Sequence, residues 1–209
     1  MKTPTTLLGL PFTRSWLNSL RTRYGTTGRP WTHSLLQSPI DADATSPHYD
    51  GTASLRQESK DLIRYLDNPE AVWVPSHKAD CIGERSLQER VTTGEQMRPH
   101  IPGLLDWLAD PNWPPFPGCR KQLARFPEET VEPIRRLFAK ERGDGGWLLN
   151  VLEFVMECVP VGPLWEGLRA EVQAMADDPR GDEDDCELSD CARQWLAMLD
   201  AWNERTRET

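Results

Sequence analysis

The pattern of apolar and polar positions changes near residue 54. Before this point five prolines interrupt the chain, and only residues 12–24 (FTRSWLNSLRTRY) have the spacing of a short amphipathic helix. From residue 54 onward, apolar residues recur at intervals of three and four, which is typical of helices that bury one face. The pattern therefore predicts a basic, largely disordered extension over residues 1–53 and a helical domain over residues 54–205.

Eight segments carry the helical spacing. No window alternates apolar and polar residues, so the sequence predicts no strands. Residues 147–159 are apolar on nearly every side, which predicts the central helix of the core. Short connections favour antiparallel neighbours, so the predicted fold class is all-α, either HEAT-like stacked helical hairpins or a compact multi-helix bundle. The segments are 54–68, 86–91, 100–110, 115–126, 128–141, 144–159, 163–176 and a last helix from about 188.

The stretch LLDWLADPNWPPF, residues 104–116, predicts a corner between two helices. Pro111 must end the first helix at Asp110, because proline disfavours helical backbone in the residue before it. Asn112 then stands where an N-cap is expected, with Trp113 in the first turn of the next helix. Trp107 and Trp113 would flank this corner and bury large apolar areas.

Charge is distributed unevenly along the chain. The 209 residues contain 24 Lys and Arg against 33 Asp and Glu, a net charge of -9, yet residues 1–40 hold five basic residues and no acidic one. The remainder is strongly acidic and would repel phosphate backbones, so we expect no nucleic-acid partner for it. Exposed carboxylates, including Asp177, Asp178 and residues 182–185, instead favour a basic protein partner. No apolar run is long enough to span a bilayer.

The five cysteines are scattered and form no CxxC pair. They are typical of reduced thiols in an intracellular protein. We expect a cytoplasmic location, with a mitochondrial one as the alternative, because the acid-free, Arg-rich amino terminus also fits a transit peptide. No pair of cysteines or histidines has finger-like spacing, so the sequence predicts neither a metal site nor a cofactor.

Several segments carry a resemblance to a known family. VPSHKAD at 74–80, HIPGLL at 100–105, WLADPNWPP at 107–115 and the segment 144–147 resemble the domain-of-unknown-function family 5071 over roughly residues 72–200. Pro111 departs from the family pattern. The resemblance implies an all-helical, HEAT-like fold and no established activity. It also implies a set of characteristic, candidate binding positions, which are Lys78, Asp80, Trp107, Asp110, Asn112, Trp113 and Trp147.

No sequence motif assigns a reaction. The chain has no GxSxG, no HExxH and no phosphate-binding loop, and its GDGG segment at 143–146 follows a helix instead of a strand. We therefore assign no catalytic residue and expect a protein–protein interaction module. Two alternatives stay open. One is an accessory protein that binds a small hydrophobic molecule in a biosynthetic pathway, and the other is an enzyme that uses Lys78, Asp80 and Asp110.

Overall fold

The computed structural model describes residues 53–208, with side chains from residue 57 onward. The predicted extension, apart from residue 53, and the predicted helix at 12–24 therefore lie outside the residues described. The chain divides into two compact units, an amino-terminal unit up to Ser86 and a carboxy-terminal unit from Leu87. Both are helical where described, with no strand, which confirms the all-α, multi-helix fold class. HEAT-like stacking stays a prediction.

The amino-terminal unit is built on two helices and the loop between them. Helix α1 spans Ala53–Asp67, and helix α2 begins at Cys81 and continues to Arg90. Tyr65 and Trp73 meet edge to face, with ring centroids 6.4 Å apart. The Trp73 backbone N–H donates to the Ser86 hydroxyl at 3.1 Å. The loop is therefore fastened to both helices.

The carboxy-terminal unit consists of short helices around one apolar helix. Helix α7 is Gly145–Cys158, and the inward residues Leu148, Val151, Leu152, Phe154 and Val155 have no exposed surface. This confirms the sequence prediction of a central helix at 147–159. The other helices are α3 Gly94–Met97, α4 Ile101–Asp106, α5 Phe116–Ala124, α6 Pro127–Lys140, α8 Pro163–Glu166, α9 Arg169–Asp177 and α10 Leu188–Arg207. Short 3₁₀ turns at Arg98–His100 and Trp107–Ala109 flank α4.

Two predicted helix boundaries are wrong for identifiable reasons. The helix predicted from residue 86 begins at Cys81, because Asp80 accepts a bond from the Gly83 N–H at 2.7 Å and so acts as its N-cap. The single helix predicted at 163–176 is two, α8 and α9, separated by Gly167 and Leu168. Glycine at a helix interior position carries a large entropic cost, which favours a break there.

The predicted role of Asn112 as an N-cap is also wrong. Asn112 is exposed, and its side-chain amide and backbone N–H both donate to Asp110 Oδ1, at 3.0 and 2.8 Å. Helix α5 begins only at Phe116, after the two prolines that follow Trp113. Residues 111–115 form turns and a bend instead, and Pro115 is the N-cap residue of α5. The end of the preceding helical segment at Asp110 agrees with the prediction.

A buried ion pair connects the loop before α7 with the loop before α10. Glu183 has no exposed surface and accepts from Arg142 Nε and Nη2, both at 2.8 Å. Its oxygens also accept from the N–H groups of Gly143 and Arg180. The expectation that residues 182–185 are all exposed carboxylates is therefore wrong at Glu183, whereas Asp182, Asp184 and Asp185 are exposed.

Candidate functional site

The corner at residues 107–113 is a tightly organised turn. The rings of Trp107 and Trp113 meet edge to face with centroids 5.4 Å apart, so they flank the corner as the sequence predicts. Both are half-buried. The Trp113 N–H donates to the Asp110 carbonyl at 3.1 Å, and the Asp110 side chain holds Asn112. The hydrogen bonds of Asp110 and Asn112 are thus made within the corner itself.

Trp147 lies at the start of α7 and reaches the end of α4. Asp144 caps α7 by accepting from the Trp147 N–H at 3.1 Å, and the indole Nε1–H of Trp147 donates to the Leu105 carbonyl at 3.0 Å. One turn further along, Asn150 donates to the Leu108 carbonyl. Carbonyls near the end of a helix often lack partners within it, and these two side chains supply donors to carbonyls at the end of α4 and in the turn that follows it. The indole ring is therefore held in a fixed position.

The Trp147 ring forms part of a surface groove of about 210 Å³. The groove lies along α4 and α6, and its apolar lining comes from Pro102, Leu105, Pro133, Leu137 and Trp147. Pro133 stands inside helix α6 and has no N–H to donate. The groove is open to solvent and within the carboxy-terminal unit, so one face of the fixed indole is accessible.

Four charged side chains complete the groove, two of each sign. Arg136 is paired with Glu132 at 2.8 Å, and Lys140 is paired with Glu141 at 2.5 Å. Asp106 differs, because its carboxylate caps no N–H of the following turn. Partial burial raises the pKa of Asp106, attraction by Lys140 lowers it, and repulsion by Glu141 raises it, with a net rise. Asp106 is nevertheless exposed, and because its pKa is raised, a further cationic neighbour would stabilise its charged form.

Asp80 and Lys78 belong to the amino-terminal unit. Lys78 is exposed, whereas Asp80 is 2% exposed and accepts hydrogen bonds that fasten the loop. Its Oδ2 accepts from Trp73 Nε1 and the Ser76 N–H, both at 2.9 Å, and from the Ser76 hydroxyl at 3.1 Å. A convergence of these residues with Asp110, which lies in the other unit, stays a prediction.

Asp80 also takes part in a cluster that the sequence analysis missed. One ligand-type atom from each of Asp61, His77 and Asp80 lies within 4.8 Å of the other two. His77 Nε2 stands 2.8 Å from Asp61 Oδ2, and Asp61 is 5% exposed. The three residues come from helix α1, the loop and the N-cap of α2. Their spacings of 16 and 3 residues match no metal-binding motif, so only the fold brings them together.

The sequence analysis also missed the groove along α4 and α6, for a related reason. Its lining residues are spread from Pro102 to Trp147, and most of them read as ordinary core positions of amphipathic helices. The one available signal was Pro133 inside an otherwise helical pattern, because a helix-interior proline leaves a carbonyl and a surface without the usual backbone bond.

The sequence model of a domain of unknown function, DUF5071, matches residues 73–196, which is more than half of the chain. The chain belongs to this family. The match agrees with the resemblance seen in the NWP segment and includes both the corner and the groove. No curated protein and no solved structure matches the chain. Along the described part, no helix combines the length and apolar character needed to cross a membrane.

Proposed function

We propose that this DUF5071 protein is an interaction module that binds a segment of a partner protein in the groove along α4 and α6. The segment carries an apolar or aromatic side chain next to a lysine or arginine. The observation that carries the proposal is the combination of an apolar floor, ending on the fixed Trp147 ring, with the exposed carboxylate of Asp106 beside it, whose pKa is raised.

The size of the groove favours a side chain over a free small molecule. Pockets for drug-sized ligands occupy about 300–1,000 Å³ and enclose most of the ligand. The groove holds about 210 Å³ and is open, which suits one anchoring side chain of a longer chain. Peptide segments bind in this way when a few side chains enter pockets on a helical surface.

Charge favours a basic partner. The residues from Leu87 onward contain 24 acidic and 14 basic side chains. Beside the groove both cations already have carboxylate partners, while Asp106 is attracted by Lys140, which is paired with Glu141, and is repelled by Glu141. A lysine or arginine of the partner would therefore neutralise Asp106 and would be steered by the acidic surface.

Peptide selection provides the test. Random peptides displayed on phage are selected on the full chain, and the enriched sequences are synthesised with fluorescein and titrated by fluorescence anisotropy. We expect an apolar or aromatic residue beside Lys or Arg, and binding that weakens as salt is raised. The Asp106→Asn variant should weaken binding by about two- to fivefold, the effect of a partly exposed ion pair.

A groove-blocking variant locates the binding. Arg136→Trp puts a large ring at the groove without touching the core, because Arg136 is exposed on α6. Arg207→Trp, on the exposed end of α10, is the matched control. Binding should disappear in the first variant and persist in the second. Enrichment of acidic peptides, no enrichment at all, or equal binding to both variants would refute the proposal.

A further inference from the structure

We propose that Asp61, His77 and Asp80 form a binding site for a divalent zinc ion in the amino-terminal unit. The three side chains come from separate segments, and their ligand-type atoms lie within 4.8 Å of one another. This site is separate from the groove and does not depend on the proposed peptide binding.

Burial of two carboxylates gives the first argument. Asp61 is 5% exposed and Asp80 is 2% exposed. Buried carboxylates are costly unless cations or hydrogen bonds compensate them. Neutral donors offset part of this cost at Asp61: the Gln57 side-chain amide donates to Oδ1 at 3.1 Å, and the His77 imidazole, which is charged only when protonated, lies 2.8 Å from Oδ2. A divalent cation between the two carboxylates would balance both negative charges at once.

Distances give the second argument. Zinc bonds to nitrogen and carboxylate oxygen are about 2.0–2.2 Å long, so two ligands of one ion stand about 3–4 Å apart. His77 Nε2 and Asp61 Oδ2 are 2.8 Å apart, and the full set lies within 4.8 Å. A contraction of the widest separation by about 1–2 Å, with a slight widening of the His77–Asp61 pair, would satisfy the coordination geometry.

The hydrogen bonds of Asp80 prepare it for this role. Oδ2 takes three donors, from Trp73 and Ser76, whereas Oδ1 takes the Gly83 N–H at 2.7 Å. Oδ1 therefore keeps a lone pair for a metal while the other bonds fix the carboxylate. Such outer contacts orient the ligands of metal sites.

The imidazole would change its tautomer on binding. His77 Nδ1 accepts from the Ala79 N–H at 3.3 Å, which leaves the ring proton on Nε2, facing Asp61. Ligation through Nε2 displaces that proton to solvent, and Nδ1 takes one up, so the ring stays neutral. The long contact from Ala79 is the bond that is given up.

The ligand set favours zinc over the hard cations. Calcium takes six to eight oxygen ligands and magnesium prefers water and carboxylates, whereas one imidazole with two carboxylates suits zinc. Three protein ligands leave a fourth position for water, as in zinc sites that stay open to a substrate.

The test uses the full chain after dialysis against a chelator. Zinc is titrated by calorimetry into the wild-type protein, Asp61→Asn, His77→Gln and the control Asp67→Asn, which makes the same change at an exposed position of α1. We expect one zinc ion per wild-type and control chain. Affinity should fall in Asp61→Asn and His77→Gln by at least the about 10–100-fold that outer-shell changes cost.

Two spectroscopic measurements separate this site from other zinc binding. Nitrogen-15 NMR of the imidazoles should show the His77 proton moving from Nε2 to Nδ1 when zinc is added. Cobalt in place of zinc should give no thiolate charge-transfer band, because Cys81 beside Asp80 is not a ligand here. Circular dichroism of the metal-free variants verifies that they fold.

The proposal fails if the wild-type protein binds no zinc or if all four proteins bind it equally. It also fails if the His77 tautomer does not change or if a thiolate band appears, since the ion would then lie at the exposed acidic residues or at a cysteine.

Discussion

Replacement of Glu183 by glutamine should destabilise the carboxy-terminal unit severely. The side chain is fully buried and accepts four hydrogen bonds, two from Arg142 and one each from the N–H groups of Gly143 and Arg180. In Glu183→Gln one oxygen becomes an NH₂ group that faces donors, and the charge that balances Arg142 is lost. Arg142, whose side chain is 10% exposed, then keeps a buried positive charge without its carboxylate.

The size of the effect follows from the burial of the pair. Removal of one partner of a buried ion pair costs about 3–5 kcal/mol. In a protein of about 150–250 residues each kcal/mol lowers Tm by about 2–4 °C, so Tm should fall by about 6–20 °C. Arg142 Nη2 also donates to the carbonyls of Ala174 and Asp178 at the end of α9, so local loss of structure should begin there.

Thermal melts followed by circular dichroism give the measurement. Asp185→Asn, two residues away and exposed, is the matched control and should leave Tm within about 2 °C, as for most surface changes. A fall in Tm of less than about 3 °C for Glu183→Gln would refute the reasoning, because it would mean that the buried pair contributes no more than a surface pair.

The same carboxylate should make stability depend on pH. Burial raises the pKa of Glu183, but hydrogen bonds from Arg142 and from the Arg180 and Gly143 N–H groups outweigh it and hold the pKa below the ordinary 4.5. Because the folded-state pKa is lowered, the stabilisation is complete above pH 4.5 and is lost as pH falls through the folded-state value. Urea unfolding should show a shallower loss of stability below pH 4.5 in Glu183→Gln than in the wild-type protein.

Three further predictions, which use five substitutions, test local contacts by urea unfolding. Gly145→Ala should cost about 1–3 kcal/mol, because an added Cβ would stand 2.7 Å from a facing backbone carbonyl; a neutral result would show that the loops can separate. Asp110→Ala should cost about 1 kcal/mol of stability, because it removes the acceptor of two hydrogen bonds. Asn112→Ala should change stability by no more than about 0.5 kcal/mol. A larger loss for Asn112→Ala than for Asp110→Ala would support Asn112 as an N-cap after all. Trp165→Phe should cost about 1–3 kcal/mol more than Trp195→Phe. The Trp165 indole donates to the Val159 carbonyl at 3.0 Å, whereas the buried Trp195 Nε1 has no partner in the described part of the chain. Equal losses of stability would show that the Trp165 hydrogen bond contributes nothing.

The central helix could be predicted because its signal is local. Residues 147–159 are apolar on nearly every side, and such a segment is stable only when neighbours cover it. The corner was predicted only in part. Pro111 ends the helical segment as expected, but the two prolines after Trp113 move the next helix to Phe116. Asn112 therefore lies four residues before the helix and bonds to Asp110 Oδ1 instead.

The buried ion pair and the proposed zinc site depend on long-range contacts that no local sequence pattern predicts. Glu183 stands in the run DEDD, which looks like a solvated acidic segment until Arg142 is placed against it, 41 residues away. Asp61 and His77 are 16 residues apart and belong to no motif. Long-range pairs of this kind are set by packing, and helical periodicity says nothing about them.

Among the candidate binding positions that the resemblance implies, the structure separates two kinds. Asp80 and Asp110 fasten a loop and a turn through their own hydrogen bonds, so their side chains are explained by local structure. Trp147 differs, because its N–H groups are used in anchoring while a face of its ring lines an open groove. An aromatic ring fixed in this way loses little side-chain entropy when a partner covers it. A partner segment should therefore bind where a residue that is fixed by its own hydrogen bonds still lines an open groove. Among these candidate positions, that residue is Trp147.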